Sequence, residues 1–522
     1  MTGHSEAVPR ARIAQGELSG LMDRGVHLFR GIPYAQPPIG PLRWAAPQPP
    51  DGWSGVLEAT AFGDIAPQAV RLGFDFQTAG ESEDCLYLNV ATTTLNLSAK
   101  QPVMVWIHGG GNLYGAASDP LYDPVALAQR AVTVVSFNYR LGVFGFLAHP
   151  TFGANFAVLD YIAALTWVRD NIQAFGGDPQ NVTIFGQSAG AVATRSLLSS
   201  PPAAGLFHRA VIQSAGFEAK ATGEWWSRER NEAAAIELFG ELGADDPADL
   251  RSRSTHEVMA AASAISGARD RPGLLRTPAQ LVWMPVIDGE IIVANDYPAW
   301  SSEVKVLLGT VANEARFFIR PERQQEFDGH LVARMAEAMV GSAANQILDL
   351  FNEENLEPYA ALDALVSTTV FTEPAGETAH LFSRLGRDFY VYRFERCAPG
   401  AVASGFLASH ACELPYLFGT LGFAAKTPYL FAGHARSAWY DDTDIALSNA
   451  IQDAWVSFAR EGKPRSNGVE WPRYDEADPK IMVLSDTINE RREDPTRLEL
   501  VIRALRQAIP SRHWLGASDP VR

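Results

Sequence analysis

Val182-Thr183-Ile184-Phe185-Gly186-Gln187-Ser188-Ala189-Gly190 decides the reading of this chain. A β-branched run, Val182 to Phe185, stops at a Gly-x-Ser-x-Gly, and an apolar, alanine-rich segment (Ala189 to Leu198) follows. This is the pattern of a strand, a tight turn and a helix, with the serine hydroxyl lifted clear of a sheet by the turn. Glycines flank the serine because side chains there collide with neighbouring backbone. The pentapeptide alone is close to what chance supplies in 522 residues. The strand before it and the helix after it set it apart from an ordinary glycine turn. Ser188 then reads as a nucleophile for acyl transfer. A hydroxyl is a weak nucleophile at neutral pH, so this reading requires a base, a group that orients the base, and donors for the oxyanion.

The donors are the most visible. Trp106-Ile107-His108-Gly109-Gly110-Gly111 follows a predicted strand, Val103–Ile107. Consecutive glycines let bare N–H groups converge on a small oxygen, which assigns the hole to Gly110, Gly111 and Ala189. A phosphate loop would need a Lys-Ser/Thr pair after the glycines, and none follows. The base must come from eleven histidines. In a doubly wound hydrolase the order along the chain is serine, acid, histidine. His410, in Ala408-Ser409-His410-Ala411, lies beyond a late strand (Phe389–Phe394) and is favoured by position over His434, in Ala432-Gly433-His434-Ala435. His108 precedes the serine and reads as an anchor for its own loop. For the acid, Glu314 lies just past the strand Val304–Gly309. Asp288 and Glu290 are rivals, although Asp288-Gly289 reads more simply as a turn. Spacing alone leaves Glu314 open between an orienting acid and a surface carboxylate.

Strands alternate with helices along the chain. Predicted strands at 103–107, 132–137, 182–185, 210–214, 304–309 and 389–394, with a short last one at 481–484, imply a mostly parallel sheet covered on both faces. A helix is predicted over 155–172, with Phe156, Leu159, Ala163 and Trp167 on one face, stopped by Gly176-Gly177-Asp178-Pro179. Another is predicted near 443–461, ending at Gly462. The proline- and glycine-rich stretch 31–53 reads as ordered extended chain, because Trp44 and Trp53 give it something to bury. Residues 218–283, with Trp225 and Trp226, and 319–388 carry helical patterning. They read as excursions forming a lid beside the C-terminal edge of the sheet. The whole of 1–522 is expected to form a single domain.

A net charge of −17, from 43 basic and 60 acidic side chains, argues against nucleic acid or an anionic membrane surface as a partner. The N-terminus has no apolar signal-peptide core, and no apolar run approaches a membrane span. The three cysteines, Cys85, Cys397 and Cys412, read as free thiols of a cytoplasmic protein. No metal-ligand or dinucleotide pattern is present, so no cofactor is expected.

Taken together, several long motifs resemble the type-B carboxylesterase family, the cholinesterase-like α/β-hydrolases. They are FRGIPYAQPPIGPLRW (29–44), SEDCLYLNV (82–90), WIHGGG (106–111), FNYRLGVFGFL (137–147), WVRDNIQAFGGDPQNVTIFGQSAG (167–190), GTVANEARFF (309–318) and SHACELPYLFG (409–419). The resemblance implies an α/β-hydrolase fold and a Ser188–Glu314–His410 triad. It also implies hydrolysis of small carboxylic esters through an acyl-enzyme, with carbamate or amide hydrolysis as the alternative. It further implies ion pairs Arg43–Glu83 and Arg140–Asp160, and places Ser214 behind the acid. The chain departs from the family at Gln187, where a glutamate is usual, and at Val311, Asn313 and Ala315 around the acid. Ala66 stands where secreted relatives carry a partner for Cys85. Asn112 replaces a residue that is commonly aromatic. Asn112, Leu113, Tyr114, Gln187 and Phe217 are expected to shape the substrate pocket. The expected state is a monomer or small homo-oligomer.

Overall fold

The β-branched runs become neighbouring strands of one sheet. The computed structural model describes residues 8–68, 80–215, 227–243, 246–265, 282–293, 299–352, 355–427 and 439–493, with 500, 501 and 504. Phe217, Trp225, Trp226 and His434 lie outside the described residues. The strands are β1 (Leu21–Asp23), β2 (Val26–Pro33), β3 (Tyr87–Thr92), β4 (Gln101–Ile107), β5 (Thr133–Phe137), β6 (Gly177–Gln187), β7 (Arg209–Gln213), β8 (Lys305–Val311), β9 (Phe389–Phe394), β10 (Lys480–Leu484) and β11 (Ile488–Arg492). They form an 11-stranded sheet in the order β11-β10-β9-β8-β7-β6-β4-β5-β3-β2-β1. From β10 through β5 every pairing is parallel, and antiparallel strands close both edges.

The sheet is apolar on both faces, as a parallel sheet must be when helices cover it on both sides. Along β4, Val103, Val105 and Ile107 enter one core, while Met104 and Trp106 enter the other. The first core packs against helices α1 (Phe156–Asn171) and α2 (Ala189–Leu198), and the second against α5 (Asp442–Glu461) through Trp455 and Phe458. Each such fully buried apolar side chain contributes about 1.5–3 kcal/mol. Gly462, at φ 72°, ends α5 in the left-handed conformation that terminates helices.

Two expectations are corrected. Residues 481–484 are not the last strand, because Ile488–Arg492 returns antiparallel beside them. Its sequence, INERR, is mostly exposed at a sheet edge and so lacks alternation. On α1 the buried residues include Ala157, Tyr161, Ala164, Leu165 and Val168, whereas Leu159 and Ala163 are half-buried. That helix is covered on more than one side, which erases a single-face signal. The described parts of both excursions are helical, including α3 (Pro358–Val366) and α4 (Glu373–Arg384), joined by a π-helical segment at Ser367–Thr372. Trp44 is buried with its Nε1 donating to Val143 O, and Trp53 Nε1 donates to Glu17 O, so 31–53 is ordered as expected.

Candidate active site

Register brings the candidate residues to one end of adjacent strands. Gln187, the last residue of β6, pairs with Gln213 of β7, and Gln213 pairs with Gly309 of β8. Ser188, Ser214 and the loop holding Glu314 therefore emerge side by side at the C-terminal edge of the sheet, where α/β folds place their sites.

Ser188 has φ 58° and ψ −126°, a conformation that L-residues adopt only when their surroundings impose it. The glycines around it permit the turn. A Cβ on Gly186 would lie 2.3 Å from Gly190 O, and one on Gly190 would lie 2.0 Å from Ile107 O. The serine turn and the glycine loop are thus pressed backbone to backbone. Gly110 and Gly111 take φ 112° and 61°, and a Cβ on Gly110 would collide with Tyr114 O. Among the described residues the N–H groups of Gly110, Gly111 and Ala189 have no hydrogen-bond partner. For Ala189 this follows from its place at the start of α2.

Glu314 and His410 are joined directly. His410 Nδ1 lies 2.5 Å from Glu314 Oε2. The other carboxylate oxygen accepts from Ser214 Oγ at 2.6 Å and from Val311 N at 3.0 Å. A parallel bridge between Asn313 and Ser409, with Asn313 N donating to Ala408 O at 2.8 Å, ties the two loops together. All four central residues are buried: Glu314 is 0%, Gln187 3%, His410 4% and Ser188 7% exposed. Ser188 Oγ has no hydrogen-bond partner among the described residues. Gln187 Nε2 lies 3.1 Å from His410 Nε2.

The rival assignments are explained by their surroundings. Asp288 accepts the N–H groups of Glu290, Ile291 and Ile292 and the amide of Asn155, so it closes a turn. His108 stacks on Tyr139, its Nδ1 lies 2.9 Å from Gly109 O, and burial pulls it down to about 4. It anchors the loop as an uncharged ring. Asn112 is buried with φ 61°; its side-chain Nδ2 contacts Met284 Sδ and its backbone carbonyl accepts from Gly142 N. Tyr114 is half-buried beside it. The ion pairs Arg43–Glu83 (2.5 Å) and Arg140–Asp160 (2.6 Å) are present and buried, and all three cysteines are free.

The sequence does not mark the aromatic wall around His410. The rings of Phe371, Phe318 and Phe317 lie 4.9, 5.1 and 6.0 Å from the His410 ring. Phe317 and Phe318 follow Glu314 closely and could have been read from that motif. Phe371 arrives from the π-helical segment with no local signal. Nor does the sequence mark the support of the Glu314 loop. Ser367 Oγ accepts from Ala315 N and donates to Asp363, whose carboxylate also takes Asn313 Nδ2 and Arg316 Nε. Among the described residues no cluster of His, Cys, Asp and Glu fits a metal ion, and no helix is long and apolar enough to cross a membrane.

A strained serine between a parallel sheet and a helix, facing a glycine loop, defines the class: this is the α/β-hydrolase fold. Solved structures agree. A thermophilic PNB esterase superposes with a TM-score of 0.79 at 31% identity, covering 95% of this chain and 100% of that one. A carboxylesterase of Geobacillus stearothermophilus gives 0.78 at 32% identity, covering 94% and 99%. The sequence profile of the carboxylesterase family matches residues 7–500, and the chain belongs to that family as a carboxylic ester hydrolase. It is 36% identical to the para-nitrobenzyl esterase of Bacillus subtilis (strain 168), over 91% of this chain and 94% of the relative. It is 32% identical to the phenmedipham hydrolase of Pseudarthrobacter oxydans, over 92% and 95%.

Proposed function

We propose that the protein hydrolyses small carboxylic esters through an acyl-enzyme on Ser188, with His410 as general base and Glu314 as the acid that orients it. The contact between Glu314 Oε2 and His410 Nδ1 carries this reading. It fixes the tautomer, so that Nδ1 holds a proton and Nε2 presents a lone pair. Nε2 takes the proton of Ser188 Oγ as the oxygen attacks the ester carbonyl. The oxyanion receives the free N–H groups of Gly110, Gly111 and Ala189. His410 returns the proton to the departing alcohol, and water then repeats the sequence on the acyl-serine, releasing the acid. The Ser188–His410 hydrogen bond forms as substrate closes the site, as is common for catalytic contacts that are open at rest.

In the same reading the two helical excursions act as a lid and set selectivity. The contact of Phe371 with His410 supports this. Carbamate or amide hydrolysis is a second reading, favoured by the relative named for hydrolysis of phenmedipham rather than as an esterase. Rates on an ester, a carbamate and an anilide of one acyl group separate the two. Ser188→Ala is expected to abolish turnover of p-nitrophenyl acetate, and turnover retained by the folded variant would sink the proposal.

A further inference from the structure

Gln187 is where the chain departs from its resemblance to the family, and its carboxamide sits against the base. Its Nε2 lies 3.1 Å from Nε2 of His410 and 3.5 Å from Nδ1. The in-plane axes of the two ring nitrogens diverge, so one atom this close to both lies over the ring and not along either axis. The carboxamide therefore rests on the face of the imidazole. The in-plane direction at Nε2, which the reaction needs, is left unoccupied by it. The other end of the carboxamide is confined too. A Cβ on Gly109 would lie 3.4 Å from Gln187 Oε1 and 2.7 Å from its carbonyl oxygen, so a glycine there makes room for the pose. The rings of Phe317, Phe318 and Phe371 wall the imidazole elsewhere. Among the described residues, Gln187 is the polar side chain on the face of the ring.

We propose that Gln187 is a positioning residue: it clamps His410 by the ring face and, by presenting N–H instead of a carboxylate, holds the base in its uncharged, proton-accepting form. The inference rests on the catalytic reading above. The nitrogen end of a carboxamide carries partial positive charge. It is drawn to the π face of a neutral ring and repelled by an imidazolium. A glutamate in the same place acts in the opposite sense, because its charge favours the protonated ring that cannot accept a proton from serine. During turnover the base does become charged.

The other titratable groups packed around the pair do not supply this bias. Glu314 holds Nδ1. Glu413 and Cys412 lie on the turn that carries His410, and burial raises both toward their uncharged forms. Tyr392, on β9, is raised by burial as well, and His108, on the glycine loop, is lowered to about 4. Each of these four is thereby held toward its uncharged form.

The test is the pH dependence of kcat/KM for p-nitrophenyl acetate in the wild type, Gln187→Glu and Gln187→Met. The acid limb is expected to move to higher pH by about one unit in Gln187→Glu, the lower end of what a new charge at this distance produces. A smaller upward shift is expected in Gln187→Met. A residue that only fills space would lower the plateau and leave the limb in place. Labelling of Ser188 with a fluorophosphonate probe separates the layers of the argument. Labelled variants whose limb coincides with the wild type, or moves to lower pH, overturn this inference alone. A wild-type protein that is folded but unlabelled overturns the catalytic reading and this inference with it. Should Gln187→Glu fail to fold, an unmoved limb in Gln187→Met suffices to overturn the proposal.

Discussion

Glu314 and Glu413 are equally deep glutamates with opposite surroundings. Glu314 is met by Ser214 Oγ, Val311 N and His410 Nδ1. Glu413, three residues beyond His410, accepts from Gln213 Nε2 at 3.3 Å, and its Oε2 has no partner among the described residues. Burial, and after it the proximity of Glu314, push the Glu413 carboxyl up to about 8. Depth therefore does not decide what a buried carboxyl becomes; the donors aimed at it do. One glutamate is equipped to hold a cation in place. The other is driven by its burial toward the uncharged form under the turn that carries His410.

The harshest way to break this contrast is Glu314→Gln. Its carboxamide has the right shape but can offer N–H to Nδ1, which selects the wrong tautomer of the ring. The kcat for an aryl ester is expected to fall by about 10⁴ with the fold retained, and a loss of less than about tenfold would remove Glu314 from its role. Ser214→Ala tests one donor. A hydrogen bond to a charged group is worth about 1.5–3 kcal/mol, so kcat/KM is expected to drop by roughly 10- to 100-fold. An unchanged rate would mean that Val311 N alone suffices.

Glu413→Gln has the smallest effect, and it falls on stability. Between about 4.5, the ordinary value, and about 8, the unfolded chain has released this proton while the folded chain keeps it. The wild type thus loses stability as pH rises through that window, and below it the full contribution is present. A glutamine does not titrate, so the Tm of the variant relative to the wild type is expected to climb from pH 5 to pH 8. A constant difference would show that Glu413 is not kept neutral.

The sequence made the frame of the site legible where local rules govern it. The serine turn, the glycine loop and the strands before them follow from residue type and short spacing. Glu314 was harder, since a glutamate past a strand looks the same whether it faces solvent or a histidine. The family resemblance, and not the spacing, pointed to it, and the structure places it on His410. Asp288 was separable by its turn chemistry. What stayed hidden depends on distant chain. Phe371 reaches the imidazole and Asp363 and Ser367 brace the acid loop from a helical excursion whose own pattern records only that it is helical. Asn112 is expected in the substrate pocket from its place after the glycines, and the contact of its side chain with Met284 comes from a distant segment that the sequence does not mark. Strand β11 was missed because a polar edge strand carries no alternation.

The bridge between Asn313 and Ser409 has a consequence for how the site tolerates disturbance. The ladder between β8 and β9 does not stop at the strand ends: Ala312 N donates to Phe394 O, and Asn313 N to Ala408 O. Glu314 and His410, far apart along the chain, hang from the same stitched seam. Their spacing is inherited from the sheet and not negotiated between two loops. Change in the second excursion away from Asp363, Ser367 and Phe371 leaves that spacing in place, whereas change at those three residues reaches it directly.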